Sequence, residues 1–446
     1  MHRRWKMPLA CSLAALLAVS ATACGKEEGT ASSSPNTPQA EIKKKDPVEL
    51  VFYYPYSLDW PVEVFDQVFA QPIQKKFPHV TVNYLLGGKA GTIQEMITAG
   101  QQIDVMLTSV GTIPVQLLNM KLQYDISTLI KSNKYDMNRF DPAMVALGSQ
   151  IANGGHYGLP VSVPPSAMYY NKDIFDKFGV PYPKDGQTWD DMYETAKKVT
   201  RMEGQTQYYG ISSTHNHQVF LNQLSIPVSD SKTQKATFDT NAKWKEWTEN
   251  FVRFYKLPGY EKLAKGTFSS GERNMFFKDK TTAMWLDVTT MHREDELTGM
   301  NWEIATFPVF KGTNNGPQPY PTYLLPTATS KNKETAFEVI AYLTSEEFQM
   351  EQSKAGKFLT PLTSMKVKEA FSQDQALYRN KNKLALWPKT YSMPAGPISE
   401  TNNPDLAFEL AISIRDMIID QKDTNTALRE AAERVNKKIA EVLAAK

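Results

Sequence analysis

Cysteine is almost missing from this chain: two in 446 residues, Cys11 and Cys24, both within the first 24 positions. Beyond them no disulfide or thiolate metal site can form, so packing alone must hold the fold. A surplus of one charge is also missing. Fifty Lys and Arg stand against 48 Asp and Glu, a formal net charge of +2. That balance gives no reason to expect nucleic acid or an anionic membrane surface as a partner. After residue 24 no stretch reaches 18 consecutive apolar residues, so nothing there reads as a membrane span. Enzyme signatures are absent as well: no G-x-G-x-x-G, no Walker A loop, no H-E-x-x-H and no G-x-S-x-G. Gly87-Gly88-Lys89-Ala90-Gly91 is glycine-rich but lacks the Lys-Ser/Thr ending of a phosphate loop and reads as a turn. The acid pairs Asp190-Asp191 and Glu346-Glu347 fall at expected helix starts, where they complement the helix dipole. No cofactor and no metal is expected.

What is there begins with a leader. Arg3, Arg4 and Lys6 precede the short apolar run Leu9 to Ala21 and the small residues before Cys24. This reads as an export signal, too short to span a bilayer. Its end, Ala21-Thr22-Ala23-Cys24-Gly25, resembles a bacterial lipoprotein signal, with Ala21 where a larger aliphatic residue is usual. The resemblance implies cleavage before Cys24 and lipid on that cysteine, the membrane contact of the mature chain. A plain secretory signal with an incidental cysteine is the other reading. Both place the protein outside the cytoplasm.

Loss of residues 1–23 leaves 423 residues, 47 basic against 48 acidic, which is too long for one ordinary core. Residues 24–46 are rich in Ser, Thr, Pro, Gly and charge and are expected to be a disordered tether after the lipidated cysteine. Order is expected from Val48 to Tyr54 as a strand, Asp59 to Phe77 as a helix, and His79 to Leu86 as a second strand. A short helix from Thr92 to Ala99 and a third strand from Ile103 to Leu107 follow. Strands alternating with helices imply a parallel sheet, with ligands past the carboxyl ends of its strands. The loops Tyr54–Trp60 and Thr108–Gly111 are therefore candidate ligand loops. Thr188 and Asp191 form a capping-box variant, repeated at Thr344-Ser345-Glu346-Glu347. Leu428, Ala431, Ala432, Val435, Ile439 and Val442 line one face of a C-terminal helix.

From Gly155 the chain reads GHYGLPVSVPPSAMYYNKDIFDKFGVPYP and then TWDDMYETAKKV. This resembles the extracellular solute-binding proteins of ABC transporters, in the carbohydrate-binding class that includes maltose-binding protein. Tyr157 to Pro160 matches that family's entry strand, and Tyr170-Asn171-Lys172-Asp173 its Tyr-Asn-Lys-Asp segment. Thr188-Trp189-Asp190-Asp191 matches its helix start. Phe276 to Trp285, Phe307 to Gly312, Ala336 to Gln349 and Gly356 to Pro361 then match in the family's order. After Ala283-Met284 this chain departs, with Trp285-Leu286-Asp287 where the family often has a Gly and then a Trp.

The resemblance implies a two-lobe α/β, periplasmic-binding-protein-like fold with hinge crossings and an interlobe ligand cleft. Residues 47–161 with 324–359 would form one lobe, and 162–323 with 360–446 the other. It implies a non-catalytic, monomeric receptor that captures a sugar, an oligosaccharide in particular, and delivers it to ABC permease subunits. That receptor would sit lipid-anchored on the extracellular face of a cell without an outer membrane. The same fold with a polyamine, iron or phosphonate ligand is the alternative, and a secreted glycan-active enzyme a more distant one.

Sugars present apolar faces and rings of hydroxyls, which proteins meet with aromatic rings and planar polar groups. Tyr54, Tyr56 and Trp60 crowd the exit of the first strand, and Ser109 lies past the third. Trp285 and Asp287 end the Ala-Met strand, and Ser162, Tyr320 and Tyr323 mark the crossings. Trp387 and Tyr391 lie where the family lines its second lobe. These eleven residues are the expected ligand contacts. Tyr169 and Tyr170 lie on a strand, so only one of them can face the cleft. His215 and His217 could share one side of a strand and approach a metal, but a polar loop over the cleft is the better expectation.

Overall fold

Two five-stranded sheets dominate a computed structural model that describes residues 45–56, 60–268, 271–288 and 294–444. The leader, Cys24 and the expected tether as far as residue 44 lie outside the described residues. In chain order the strands of the first half are β1 Val48–Tyr54, β2 Val80–Leu86, β3 Val105–Ser109, β4 Leu159–Ser162, β5 Ala167–Asn171, β6 Arg201–Glu203 and β7 Thr206–Ser213. They continue as β8 Ser229–Asp230, β9 Lys235–Ala236, β10 Thr282–Asp287, β11 Trp302–Thr306, β12 Asn315–Gly316, β13 Thr322–Pro326 and β14 Thr390–Tyr391.

The first sheet has the order β2-β1-β3-β13-β4. β1 runs parallel to β2 and β3, as the alternation of strands and helices requires. β13 enters antiparallel from far along the chain. Both faces of β1 are covered: Leu50, Phe52 and Tyr54 pack into one core and Tyr53 into another. The helix after β1 runs Val62–Phe65, widens to a π-turn at Asp66–Ala70 and resumes at Gln71–Lys76. Phe65, Phe69 and Ile73 form its buried stripe, and Val64, which lies off that stripe, is exposed. Asp104 is fully buried, and its carboxylate accepts from Val51 N (3.0 Å), Gln102 Nε2 (2.9 Å) and Ser330 Oγ (2.5 Å). A buried carboxyl group held by three donors is satisfied, and it ties β1 to the chain entering β3 and to the segment after β13.

The second sheet has the order β11-β5-β10-β7-β6, with β10 parallel to β7 and antiparallel to β5. Alternation along β5 sends Tyr169 and Tyr170 to opposite faces, and both are buried in separate cores. Thr188 caps the helix Trp189–Val199 in a full capping box with Asp191. The expected repeat of this device is shifted by one residue. Ser345 caps the helix Glu346–Lys354, while Thr344 bonds back to Ile340 O and closes the preceding helix. In the C-terminal helix Thr424–Ala444, Leu428, Ala431, Ala432, Val435 and Ile439 are buried, as their spacing requires.

Candidate ligand site at the carboxyl ends of the sheets

Polar side chains from both sheets meet where their parallel strands end. From the first sheet come Tyr56, two residues past β1, and Ser109, the last residue of β3. From the second come Asp287, the last residue of β10, and His217, on the helix His215–Phe220 that follows β7. Tyr320 lies between them, two residues before β13. Asp405, in the first turn of the helix Pro404–Ile419, completes the group.

Tyr320 is the centre of this arrangement. Its hydroxyl hydrogen-bonds with Ser109 and neighbours Tyr56 and Asp405, and burial pushes its pKa up to about 12. Gly111 makes room for it: a Cβ there would lie 2.2 Å from the Tyr320 hydroxyl and 2.9 Å from Pro404 Cγ. His217 meets Tyr320 edge to face, ring centroids 5.7 Å apart. Burial pushes the His217 pKa down to about 4, against the pull of Asp287 and Asp405. The ring is therefore neutral at pH 7. Its Nδ1 is closed off from solvent and has no hydrogen-bond partner among the described residues. Asp287 itself is 1% exposed. Hydroxyls, a neutral imidazole and two carboxyl groups thus lie close together, a set able to donate to or accept from a polyhydroxylated molecule.

Two residues apart on a helix, side chains point in different directions, so the two histidines do not share a side as they would on a strand. His215 turns inward, 1% exposed, with Nε2 2.7 Å from Glu272 Oε1. Glu272 Oε2 also accepts from Tyr255 Oη (2.7 Å) and Ser213 N (2.9 Å). Of the two, only His217 joins the group around Tyr320.

The expected contacts divide into two sets. Tyr56, Ser109, Asp287 and Tyr320 come together as described. Tyr54 is buried with its ring edge-on to Tyr56, centroids 5.9 Å apart, so it backs the site. The remaining six belong to the core, because protein side chains or strand pairing already cover them. Trp60 packs on Phe69 and Phe358. Trp285 is fully buried against Phe277. Trp387 packs on Phe371 and donates to Thr360 O at 3.0 Å. Tyr391 pairs with Gly316 and is 5% exposed. Tyr323 is buried and donates to Met144 O at 3.1 Å, and Ser162 pairs with Thr322 at the sheet edge. Asp405 of this group carried no expectation from the sequence, Gly111 entered only as the end of the candidate loop Thr108–Gly111, and His217 only as part of a polar loop. The histidine cluster was visible, but its helical setting was not.

Two α/β sheets thus bring polar side chains together at the carboxyl ends of their strands, the place where open α/β sheets take ligands. The profile of the bacterial extracellular solute-binding proteins matches residues 60–350, and the chain belongs to that family. It is 33% identical over 119 residues to the arabinooligosaccharide-binding protein of Bacillus subtilis (strain 168), over 27% of this chain and 24% of that one. It is 24% identical over 325 residues to the sn-glycerol-3-phosphate-binding periplasmic protein UgpB of Brucella melitensis, over 69% and 72% of the two chains. The sugar-binding protein MalE from Xanthomonas citri superposes with a TM-score of 0.68 at 18% identity, covering 88% of this chain and 98% of that one. The chain covers 24% and 52% of the length of the first curated relatives it matches.

Proposed function

We propose that this protein is the non-catalytic, monomeric receptor of an ABC importer and that it captures a sugar, an oligosaccharide in particular, for the membrane permease. Lipid on Cys24 and a tether to residue 46 hold it at the extracellular face of a cell without an outer membrane. Residues 47–161 with 324–359 form one lobe, and 162–323 with 360–446 the other. Open lobes bind the sugar and close by hinge motion, driven by contacts that only the closed form makes to both sides of the ligand. The observation that carries this reading is the meeting of Tyr56, Ser109, His217, Asp287 and Tyr320 from the ends of both sheets, with His217 Nδ1 left unpartnered among the described residues. Neutral hydroxyls are the groups such a set satisfies best.

The glycerol-phosphate relative suggests a phosphorylated ligand instead. Asp287 and Asp405 weigh against an anion, because like charges in a partly buried site repel strongly. The test is a thermal-shift screen of the purified protein against arabino-, xylo-, manno- and malto-oligosaccharides of two to four units, with glycerol 3-phosphate, spermidine and ferric citrate beside them. A ligand at 1,000 times its Kd stabilises by about 4 kcal/mol, a shift of several degrees. A shift with one sugar class is expected. A shift with glycerol 3-phosphate or another control, and with no sugar, overturns the carbohydrate reading.

A further inference from the structure

Glu272 is a fully buried acid outside the polar group around Tyr320. It opens the short helix Glu272–Phe277 and gathers three other segments. Its Oε1 lies 2.7 Å from Nε2 of His215, the first residue of the helix His215–Phe220. Its Oε2 accepts from Ser213 N at the end of β7 (2.9 Å) and from Tyr255 Oη at the end of the helix Ala242–Tyr255 (2.7 Å). His215, Ser213 and Tyr255 are themselves buried. Ser213 carries the connection onward: its Oγ donates to Leu286 O at 3.1 Å, one residue before Asp287. Gln218 Nε2 donates to the same oxygen at 3.4 Å.

The helix His215–Phe220 has six residues, and Thr214 gives it no side-chain cap. A helix this short takes its direction from what its side chains grip rather than from its own hydrogen bonds. His215 and Gln218 are three residues apart, on one face, and both grip inward, one at Glu272 and the other at the carbonyl before Asp287. His217 lies off that face, with its ring against Tyr320. We propose that Glu272 is a positioning residue of this site: without touching ligand, it fixes His217 against Asp287 and so sets how tightly a sugar is held. The inference rests on the receptor reading above for the ligand, but not for the placement of His217.

Two measurements on the full protein test this, with Glu272→Ala and Glu272→Gln beside the parent. The first needs no ligand: an NMR titration of the His217 imidazole, assigned by the signal that His217→Asn loses. The second is calorimetry with arabinotriose and with maltotriose, well below the melting temperature. Glu272→Ala takes this acceptor from Ser213 N, Tyr255 Oη and His215, so the helix turns and the His217 ring loosens. Its titration midpoint is expected to rise from about 4 toward 6.5, by about one pH unit, and sugar affinity to fall roughly tenfold. Glu272→Gln keeps an oxygen for Ser213 and Tyr255 and an amide for His215, so both readouts should stay near the parent's. A Glu272→Ala variant that melts lower yet keeps the parental midpoint or the parental affinity assigns Glu272 to the fold alone and overturns the proposal. So does a Gln variant that loses as much as the Ala variant, because the effect then belongs to charge rather than position. If Glu272→Ala does not fold, His215→Phe takes its place with the same outcomes, since it keeps the ring contacts with Phe251 and Tyr255 and drops the grip on Glu272. If neither sugar binds the parent, the receptor reading loses its support, and the His217 midpoint alone decides the placement.

Discussion

β10 serves two neighbouring regions of different make-up, an aromatic layer and a polar group. Trp285 enters an aromatic layer with Tyr169, Phe277, Trp302 and Tyr378, in which rings rest on rings. Asp287, two residues on, acts on His217 in the polar group around Tyr320. The first region fills its own space. In the second, a buried nitrogen has no partner among the described residues, and two acids draw on the same imidazole. Two acids beside an imidazole held neutral by burial distinguish the second region, since Trp285 Nε1 in the aromatic layer is also buried without a partner among the described residues.

The largest expected effect tests the aromatic side of this contrast. Trp285→Ala empties a fully buried site and should cost about 3–5 kcal/mol of stability, read as a fall in the denaturant midpoint. If the variant keeps its stability and loses sugar binding, Trp285 faces ligand and the contrast collapses. Asp287→Asn is the converse experiment. It keeps the shape of the side chain and removes its charge, so a charge-assisted bond to a sugar hydroxyl becomes a neutral one. Affinity should fall roughly 10- to 100-fold. Unchanged affinity would take Asp287 out of the site.

Much of this was legible from residue order alone. The alternation of strands and helices from Val48 implied a parallel sheet, and the carboxyl-end rule then pointed to the loops holding Tyr56 and Ser109, while Asp287 came from the resemblance of the Ala-Met strand. What could not be read was the setting of single aromatics. Trp60, Trp285 and Trp387 have the chemistry of sugar-stacking residues and of core residues alike, and only the neighbours on their faces distinguish the two. Asp405 left no local signal, because it matters through neighbours far along the chain, Tyr320 and His217. His217 was misplaced for a different reason. The segment His215–Phe220 lacks a long apolar period, so strand, loop and helix could not be separated by pattern.

His217 supplies the next test, through pH. Its folded pKa of about 4 lies below the ordinary imidazole value of 6.5. Between these values the unfolded chain binds a proton that the folded chain refuses. Stability from the neutral ring is thus full above pH 6.5 and is lost as pH falls toward 4. The loss should be roughly 1–3 kcal/mol, discounted for partial exposure of the ring. His217→Asn should flatten the slope of stability against pH in that window. An equally steep slope in the variant would assign the titration to other groups.

The smallest effect belongs to the rim. Tyr56 is 38% exposed and touches Tyr54 only edge-on, so its removal leaves the core intact. Tyr56→Ala should keep the melting temperature within about a degree and weaken sugar binding about three- to tenfold, the worth of one exposed stacking ring. Tyr56→Phe then divides that effect. The ring face is the same in both, so a Phe variant that binds as the parent assigns the contact to stacking. One that binds as weakly as the Ala variant assigns it to the hydroxyl, so that Tyr56 acts as the polar group around Tyr320 does.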